Sequence, residues 1–575
     1  MISKWNYLPF TSEEEQLEQE LMKQVSSRPI SEILVRRGVS SVADAKRFLR
    51  PTMSDLHDPF IMDDMQKAVD RLNQAFCQQE RILVYGDYDV DGTTAVALVY
   101  KYLRNFYSKV DYYIPTRMDE GYGISLRSID EAAENGVSLI IVLDCGIKEF
   151  EPISYAKSKG IDFIICDHHV PDDHLPEAVA ILNPKLPWSK YPCPHLCGCG
   201  VGFKFMQAFA ISNGLYSHSG LDALLDLVAI ATIADIMPMV GENRIFVQYG
   251  MHRLNHNPNA GLRALIKLCN LNKKDLNISD VVFKLAPRIN AAGRMQSGIE
   301  AVQLLVSRTP SEALLHANRI EQFNNERKDL DKRITEEANN ILTRKEAVFS
   351  EQKSLVIYNK DWHKGIIGIV ASRLTELYYK PSVVLTLEDG YATGSSRSVQ
   401  GFDVYNAVAS TRDLLENFGG HTYAVGLTMK EENIREFARR FESYVESHIE
   451  PYQLSPVSHI DTYLAFDEID GKFLDLLRQL APFGTGNKRP DFCTVEVRDY
   501  GTSKLVGKTN EHIKLDLVDP TCQHPVNGIA FNSAKYFDYI HSGKPFKIVY
   551  NIENNQRQVN KIQLQVKKII VPGMD

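Results

Sequence analysis

In the segment ILVYGDYDVDGTT, residues 82–94, a hydrophobic run leads directly into three alternating carboxylates. The four hydrophobic residues at its start predict a buried strand, and Asp87, Asp89 and Asp91 follow at the carboxyl end of that strand. Open α/β sheets bind ligands in the crevice outside the carboxyl ends of their strands. Carboxylates packed this closely repel one another unless a cation holds them ionised. The segment therefore predicts a metal site on an α/β sheet.

Two later strands are predicted to end in carboxylates as well. Hydrophobic runs lead to Asp144 and, after one intervening helix, to Asp167, and the pair His168 and His169 follows at once. Alternating strands and helices are typical of a parallel sheet with helices on both faces. Parallel strands bring their carboxyl ends to one edge, so we expect these side chains to join the carboxylates of residues 82–94.

The two histidines are predicted to have different tasks. Adjacent residues in a strand point to opposite faces, so His168 and His169 do not chelate one ion together unless the chain turns there. We expect one imidazole to bind metal and the other to face the substrate as a hydrogen-bond donor or general acid.

A further ligand candidate lies at the end of a helix. Residues 221–235 are apolar almost all round, which predicts a buried helix with Asp235 at its carboxyl end. An isolated buried carboxylate is costly, so Asp235 is either a metal ligand or an exposed residue just past the helix.

The predicted ligand set indicates the ion and the chemistry. Mostly oxygen ligands with one imidazole suit manganese or magnesium better than zinc. Two such ions about 3.5–4 Å apart, bridged by a shared carboxylate, activate a water and stabilise the leaving oxygen of a phosphoryl group. Phosphoester hydrolysis is therefore the predicted reaction.

Two other sites share the DxDxDG pattern. A calcium EF-hand loop would need a bidentate glutamate where this chain has Leu98, and it would follow a helix rather than a strand. The nucleophile loop of haloacid-dehalogenase-type phosphatases also resembles residues 89–93, but it leaves the Asp167-His168-His169 run without a role.

Length and composition limit the remaining possibilities. A chain of 575 residues is too long for a single hydrophobic core. No run approaches the ~18 apolar residues that a membrane helix needs. No secretory signal is recognisable, so we expect a cytoplasmic location and reduced thiols for the nine cysteines. The cluster Cys193, His195, Cys197 and Cys199 contains zinc-type ligands, but its spacing differs from that of zinc sites, which favours ordinary loop cysteines. A net charge of −8 argues against a protein that simply coats nucleic acid.

The chain is predicted to contain five segments. We expect an N-terminal helical segment at 1–80, an α/β catalytic domain at 81–305 and a long connecting helix at 309–350, followed by a second α/β domain at 354–450 and a strand-rich module at 456–572. Small all-β modules of this length are often OB-like barrels. Residues 501–575 contain ten Lys and Arg against six Asp and Glu, so this module is the predicted basic part of an acidic protein.

The ordered motifs resemble a known family. DYDVDG at 87–92, DCG at 144–146, DHH at 167–169 and Asp235 resemble the four metal motifs of the DHH phosphoesterases, and most closely those of the single-strand-specific DNA exonucleases within it. Four further motifs support the resemblance: PRINAAGRM at 287–295, WHKGIIG at 362–368, GGH at 419–421 and PFGTGN at 482–487. The resemblance covers nearly the whole chain and implies DHH, DHHA1 and OB-like domains in that order.

The resemblance also implies roles for individual residues. Five side chains would bind two manganese ions, with Asp144 bridging: Asp89, Asp91, Asp144, His168 and Asp235. His169 would contact the scissile phosphate, and Asp87 would complete a metal where many relatives have a histidine at the position of Tyr85. The catalytic set also includes Arg288 and Asn290, and the candidates for phosphate or nucleic-acid binding are Arg288, Arg294, Arg397, Ser398, Gly419, Gly420 and His421. The chain departs from the family pattern at Cys197–Gly202, where relatives tend to have small or aliphatic residues in place of the cysteines.

The implied activity is stepwise 5′→3′ hydrolysis of single-stranded DNA to 5′-mononucleotides, in DNA recombination and repair. The implied partners are single-stranded DNA, a single-strand-binding protein and a RecQ-type helicase, and the implied state is a monomer without membrane contact. Two alternatives remain. One is a DHH phosphodiesterase that cleaves short oligonucleotides or cyclic dinucleotides, and the other is a non-catalytic scaffold that has lost its ligands.

Overall fold

The computed structural model describes residues 4–572 except 118, 122, 216–219, 273–274, 345–348, 456 and 555–561. The chain forms two compact units. The first unit consists mainly of Asp58–Asp235 and Tyr249–Val457, and the second of Trp5–His57, Ile236–Gln248 and Ser458–Asp575. Among the described residues, no helix combines the length and the apolar character that crossing a membrane requires.

The second unit begins with three short helices. After strand β1 (Lys4–Asn6), Thr11 and Glu14 form a reciprocal capping box that starts the first helix. The helices are α1 (Ser12–Val25), α2 (Arg28–Arg36) and α3 (Val42–Leu49). Apolar residues at three- and four-residue spacing, such as Ile30 followed by Ile33 and Leu34, turn to the core of this unit.

The first unit contains the parallel sheet that residues 82–94 predict. Its elements are α4 (Met65–Cys77), β2 (Arg81–Gly86), α5 (Val90–Leu103), β3 (Val110–Tyr113), α6 (Leu126–Glu134), β4 (Val137–Leu143), α7 (Phe150–Ser158), β5 (Asp162–Cys166) and β6 (Ala180–Leu182). The strand order is β3-β2-β4-β5-β6, and every pairing is parallel. The order reverses between β2 and β4, and such a switch point is where open α/β sheets bind ligands.

Helix α5 begins earlier than its sequence pattern predicts. The sequence pattern predicts a helix from Ala95 to Phe106. Helix α5 starts instead at Val90, because the Asp89 carboxylate caps it, accepting the Gly92 N–H at 3.1 Å. Asp91 therefore lies in the first helical turn instead of a loop. A Cβ on Gly92 would meet the Asp87 carbonyl oxygen at 2.4 Å, so the glycine permits this tight turn.

A helical layer follows the sheet. Its members are α8 (Gly198–Ser212), α9 (Leu225–Ala234), α10 (Gly241–His256), α11 (Ala260–Leu268), α12 (Ile278–Asp280), α13 (Ala286–Met295) and α14 (Ile299–Val306), with a π-helical turn at Val281–Leu285. Helix α9 is buried on all sides, as its uniform apolar sequence predicts, and Asp235 is its C-cap residue.

The long helix and a second sheet complete the first unit. Helix α15 (Pro310–Arg344) buries one face, including Ile334 and Ala338, in the core of the second sheet. The strands of that sheet are β7 (Leu355–Tyr358), β8 (Ser382–Glu388), β9 (Tyr391–Arg397), β10 (Leu415–His421) and β11 (Ala424–Lys430). The helices of this region are α16 (Ile367–Tyr378), α17 (Val404–Ala409) and α18 (Ile434–His448). The strand order is β10-β11-β9-β8-β7, with only β7 and β8 parallel. The last part of the predicted connecting helix, at 345–348, lies outside the described residues.

The C-terminal part of the second unit is a barrel, which confirms the OB-like prediction. It contains β12 (Val457–His459), β13 (Thr462–Tyr463), α19 (Gly471–Gln479), β14 (Phe492–Asp499), β15 (Lys504–Val506), β16 (His512–Asp519), β17 (Cys522–Ala530), α20 (Phe537–His541), β18 (Phe546–Asn554) and β19 (Ile562–Ile570). The order β14-β18-β19-β17-β16 closes because β14 also pairs with β16. Five strands thus form a closed ring.

One core joins the parts of the second unit. Leu21, Ile30 and Leu34 of the N-terminal helices share a hydrophobic cluster with barrel residues such as Leu515 and Ile548. The short segment 236–248 also belongs to this unit. The sequence did not indicate this association of the two chain ends.

Candidate metal centre

The structure brings the predicted ligands together in three overlapping groups: two groups of three, and a third that contains Asp144, Asp167, His168 and His169. Asp87, Asp89 and Asp144 form one group, and in each group the potential ligand atoms lie within 4.8 Å of one another. The second group contains Asp91, His168 and Asp235. The Nε2 atom of His168 lies 3.0 Å from Asp144 Oδ1, so Asp144 is adjacent to both groups. This arrangement fits two ions that share one carboxylate.

Separate elements supply these side chains. Asp87 and Asp89 follow β2, Asp91 lies in the first turn of α5, and Asp235 caps α9. Asp144 follows β4 with a φ of 61°, a left-handed conformation that aspartate tolerates better than most residues. The switch point between β2 and β4 therefore lies directly beneath the centre.

The carboxylates destabilise one another when no cation is bound. Burial, together with the charges of neighbouring aspartates, raises the pKa of Asp87 and of Asp144 well above the usual range. The same causes raise the pKa of Asp235 to about 8. Burial also lowers the pKa of His168 to about 4, so this imidazole is neutral at pH 7 and able to donate a lone pair.

Unpartnered oxygens show that the residues fit a divalent metal. Among the described residues, buried Oδ1 of Asp87 and buried Oδ2 of Asp235 have no hydrogen-bond partner. Leaving buried carboxylate oxygens without a donor is costly, whereas coordination of a hard cation satisfies them. Five carboxylates and one imidazole match the preferences of manganese and magnesium.

Asp167 orients His169, a role that the sequence did not indicate. The Asp167 carboxylate accepts the backbone N–H groups of Ile147, His168 and His169, and it also accepts Nδ1 of His169 at 2.7 Å. The last bond fixes the tautomer and directs Nε2 away from Asp167. Burial lowers the pKa of His169, but the bond to Asp167 outweighs it and leaves a net rise.

The two histidines do not point to opposite faces. Strand β5 ends at Cys166, so the chain has already left the sheet and the rings of His168 and His169 lie 4.6 Å apart. His168 contacts the ligand carboxylates, whereas the ring of His169 stacks 5.9 Å from that of His421 on β10. The expected division of tasks is compatible with these positions.

A cluster of arginines lies beside the carboxylates. Burial lowers the pKa of Arg294 to about 10, and the neighbouring charges of Arg117 and Arg397 contribute to this shift. Arg294 donates to the Gly365 carbonyl at 3.2 Å, and Arg397 donates to the Ser395 hydroxyl at 2.8 Å. Three guanidinium groups that repel one another favour a bound anion.

Two cations near the centre were not identified from the sequence. Arg117 lies 5.3 Å above the ring of Tyr88, within the DxDxDG segment, and its charge opposes the rise in the pKa of Asp87. Lys185 lies in no recognisable motif either, yet its charge influences the pKa of both His169 and Asp235. Both residues lie in loops, where no periodic pattern distinguishes a functional cation from a solvated one.

Several predicted residues have other contacts. Arg288 forms a two-bond ion pair with Glu321 on α15, at 2.6 and 3.1 Å, so among the described residues its guanidinium partners are not site carboxylates. Asn290 accepts the Val90 N–H at 3.1 Å and supports the start of α5. The Ser398 hydroxyl donates to the Phe402 carbonyl.

The glycine pair of the GGH motif lies on an edge strand. Gly419 and Gly420 pair through β10 with Gly426 and Val425 of β11, and both are exposed. A Cβ on Gly420 would meet the Ala424 carbonyl oxygen at 2.2 Å, whereas a Cβ on Gly419 would meet nothing within 4 Å. The outer edge of β10 at Gly419 is therefore open to a ligand.

Tyr85 is a core residue. It is 1% exposed, its hydroxyl donates to the Gly123 carbonyl, and its ring stacks on Tyr113. Tyr85 is therefore not placed to bind a metal, whereas Asp87 lies within the first group of potential ligands.

The three clustered cysteines are buried. Cys197 is the N-cap residue of α8: its sulfur accepts the Gly200 N–H at 3.4 Å and contacts the Thr232 hydroxyl. These contacts give Cys197 a structural role.

A pH-dependent stability is expected from Glu149. Burial, with the nearby charge of Asp167, raises the pKa of its carboxyl to about 7. The folded protein then binds this proton more tightly than the unfolded chain, so stability falls as pH rises from about 4.5 to about 7. In EDTA, Glu149→Gln should stabilise the protein at pH 8 by about 1–2 kcal/mol and by much less at pH 5, as measured by urea unfolding. The exposed Glu151→Gln controls for loss of one charge, and an equal gain at both pH values would contradict the expectation.

Comparisons with known proteins agree with this geometry. The model of the DHH family, N-terminal domain, matches residues 81–232, that of the DHHA1 domain matches 351–447, and that of the RecJ OB domain matches 460–568. The parallel sheet with the candidate metal centre is thus part of a DHH domain, and the second sheet is part of a DHHA1 domain.

Individual relatives narrow the assignment. The single-stranded-DNA-specific exonuclease RecJ of Bacillus subtilis is 35% identical over 94% of this chain and 68% of its own length. The protein with the same description from Haemophilus influenzae is 32% identical over 95% and 96%. A crystal structure of RecJ in complex with Mn2+ from Thermus thermophilus superposes with a TM-score of 0.82 at 25% identity, over 99% of this chain and 80% of that one. This chain belongs to the RecJ family.

Proposed function

We propose that this protein is a manganese-dependent exonuclease that degrades single-stranded DNA from its 5′ end and releases 5′-mononucleotides. The observation that carries the proposal is the pair of three-ligand groups adjacent to Asp144, in a chain whose relatives are single-stranded-DNA-specific exonucleases. Magnesium fits the same oxygen-rich set and is the alternative ion. A non-catalytic scaffold is disfavoured because all the predicted ligands are present and assembled.

The carboxylates and His168 would hold the metal ions that take part in the reaction. Bound metal ions would lower the pKa of a water and neutralise charge on the phosphate. Asp89, Asp91, Asp144, His168 and Asp235 would hold two ions, and Asp87 completes the group with Asp89 and Asp144. The carboxylates remain ionised in this role, because a cation reverses the repulsion that raises their pKa.

His169 would bind the scissile phosphate. Its Nδ1 is committed to Asp167, so Nε2 is the atom directed toward substrate. Because the bond to Asp167 produces a net rise in the pKa of His169, the imidazolium form is more accessible and donates a charge-assisted bond to a phosphate oxygen. Asp167 therefore positions His169 without touching the substrate.

The arginine cluster is proposed to bind the phosphate at the 5′ end. The cluster consists of Arg117, Arg294 and Arg397. Burial lowers the pKa of Arg294 and of Arg397, and repulsion from the neighbouring guanidinium charges adds to this lowering. Gly368, at the start of α16, lies against Arg397: a Cβ there would be 3.2 Å from its Nη2. A helix N-terminus beside guanidinium groups is a favourable phosphate site. A terminal phosphate carries more negative charge than an internal one, so this cluster would favour strand ends.

The 5′-end assignment predicts a selective effect of Arg117→Ala. Loss of one guanidinium should raise KM for 5′-phosphorylated strands roughly 10- to 100-fold, because charge-assisted bonds are worth about 1.5–3 kcal/mol. The effect should be smaller for 5′-hydroxyl strands, which steady-state kinetics on both substrates would reveal. Arg127→Ala, which removes an exposed arginine paired with Glu131, is the control. Equal losses on both substrates would exclude the 5′-phosphate assignment.

The activity is tested by product analysis on long end-labelled DNA. With Mn2+, 5′-labelled single strands should yield labelled mononucleotides at once, whereas 3′-labelled strands should shorten progressively and blunt duplexes should persist. Hydrolysis confined to di- and trinucleotides or cyclic dinucleotides would support the alternative phosphodiesterase. Residues 460–568, which match the RecJ OB domain, favour the long substrate, because OB folds bind single strands.

The proposal extends to location and partners. The family resemblance supports a monomer acting in the cytoplasm in recombination and repair, with a single-strand-binding protein and a RecQ-type helicase as partners. Analytical ultracentrifugation tests the monomer, and pull-down with purified candidate partners tests the contacts.

A further inference from the structure

The start of helix α8 lies against a ligand of the metal centre. A Cβ added to Gly198 would lie 2.6 Å from the Cβ of Asp144 and 2.8 Å from its Cα. Real Cβ atoms do not approach other atoms so closely, and the obstructing atoms here are backbone and Cβ rather than a flexible side-chain end. Any side chain at Gly198 must therefore displace Asp144 or the helix start.

The first turn of α8 also forms hydrogen bonds with Asp91, a second candidate metal ligand. The carboxylate of Asp91 accepts the Gly198 N–H at 2.6 Å through Oδ2 and the Cys199 N–H at 2.8 Å through Oδ1. The first N–H groups of a helix have no partner within it, and the helix dipole adds positive potential there. Each oxygen retains a further lone pair, so Asp91 is fixed without losing its capacity to bind metal.

We propose that Gly198 is a positioning residue of the metal centre: the first turn of α8 sets the spacing between Asp91 and Asp144 by hydrogen-bonding one ligand and packing directly against the other. Asp91 belongs to one three-ligand group and Asp144 to the other. A shift of this turn would therefore change the distance between the two groups rather than a single ligand. This inference rests on the proposed two-metal function.

Gly200, in the first turn of the same helix, provides a matched control. A Cβ on Gly200 would have Leu196 Cβ as its nearest neighbour, at 3.5 Å, which is an ordinary packing distance. Gly200→Ala adds the same methyl group to the same helical turn as Gly198→Ala. A general effect on the helix should therefore appear in both variants, and an effect on ligand spacing only in Gly198→Ala.

The test compares Mn2+ binding by isothermal titration calorimetry in the full-length protein. Gly198→Ala should weaken Mn2+ binding about 10- to 100-fold, the range seen when groups that orient metal ligands are lost. In kinetics, the Mn2+ concentration for half-maximal rate should rise by a similar factor, while KM for DNA at saturating Mn2+ stays within about twofold. Gly200→Ala should resemble the wild type in every measurement. Wild-type Mn2+ affinity in a folded Gly198→Ala protein, or equal weakening in Gly200→Ala, would overturn the proposal.

A second pair of variants covers the case in which Gly198→Ala does not fold. Cys199→Pro removes one N–H that binds Asp91, and this N–H, in the first helical turn, has no partner within the helix. Cys199→Ala keeps that N–H and serves as the control. The proline variant should bind Mn2+ about tenfold more weakly than the alanine variant, since one charge-assisted bond is lost. Equal affinities would contradict the proposed clamp on Asp91. A wild-type protein that binds Mn2+ but does not hydrolyse DNA would instead count against the proposed function.

Discussion

Asp144→Asn is expected to abolish hydrolysis and, in the absence of metal, to stabilise the fold. Burial and the charges of Asp91 and Asp89 raise the pKa of Asp144 well above its usual range, so an uncharged isostere removes an unfavourable interaction. Asparagine tolerates the left-handed conformation at this position. We expect a gain of about 1–3 kcal/mol in urea unfolding at pH 7.5 in EDTA.

The hydrolytic activity of Asp144→Asn should fall, in contrast to the expected gain in its stability. A neutral amide is a poor shared ligand for two cations, so we expect a loss of roughly 10³-fold or more in turnover, with single-strand binding retained in a filter or fluorescence assay. Mn2+ should raise the Tm of the wild type more than that of the variant. Asp413→Asn, at an exposed residue paired with Arg440, is the control and should change stability by less than ~0.5 kcal/mol. Unchanged turnover in Asp144→Asn would reject the two-metal scheme.

Arg244→Met is expected to destabilise the second unit more than any surface change. The guanidinium is 2% exposed and lies 4.0 Å above the ring of Phe48. Its donors reach five backbone carbonyls, those of Phe48, Gln479, Leu480, Ala481 and Pro482. Four of these carbonyls lie at or directly after the end of α19, where a cation also interacts favourably with the helix dipole.

Removal of this side chain leaves buried carbonyl groups without donors, and methionine supplies none. We expect a loss of about 3–5 kcal/mol, the usual consequence of breaking a buried charged network. Hydrogen exchange measured by mass spectrometry should show faster exchange for core amides of the barrel and unchanged exchange for the DHH sheet. Arg50→Met is the control, because Arg50 is exposed and makes one bond to the Gln479 side chain. Equal effects of the two substitutions would contradict the proposed role of Arg244.

Local sequence patterns predicted most of the parallel sheet and the carboxylates that cluster at its edge. Strand hydrophobicity and the aspartates that follow it identified Asp87, Asp89 and Asp144, since a short-range pattern is enough to predict a strand and its end. The uniform apolar run before Asp235 likewise predicted a buried helix. The start of α5 was predicted five residues late, because the Asp89 side chain caps the helix and this local bond competes with the apolar pattern.

The arrangement around these ligands depends on contacts between distant residues. Asp167 meets the backbone N–H of Ile147, and Gly198 meets Asp144 across more than fifty residues of sequence. Arg117 has no motif around it, and only its proximity to Tyr88 distinguishes it from a surface arginine. Hydrogen bonds and steric contacts of this kind leave no periodic signal in the chain.

Residue patterns alone were enough to predict a cluster of carboxylates on a parallel sheet, followed by a second α/β domain and a barrel. Three features appear only in the folded chain: Asp144 of the first group lies next to His168 of the second, a glycine at the start of α8 packs against Asp144, and the N-terminal helices pack with the barrel. The physical reason is that hydrophobic burial is non-directional. An apolar face predicts that a segment is buried, but its partner is selected by shape and by polar groups such as Arg244 that must find their hydrogen bonds there.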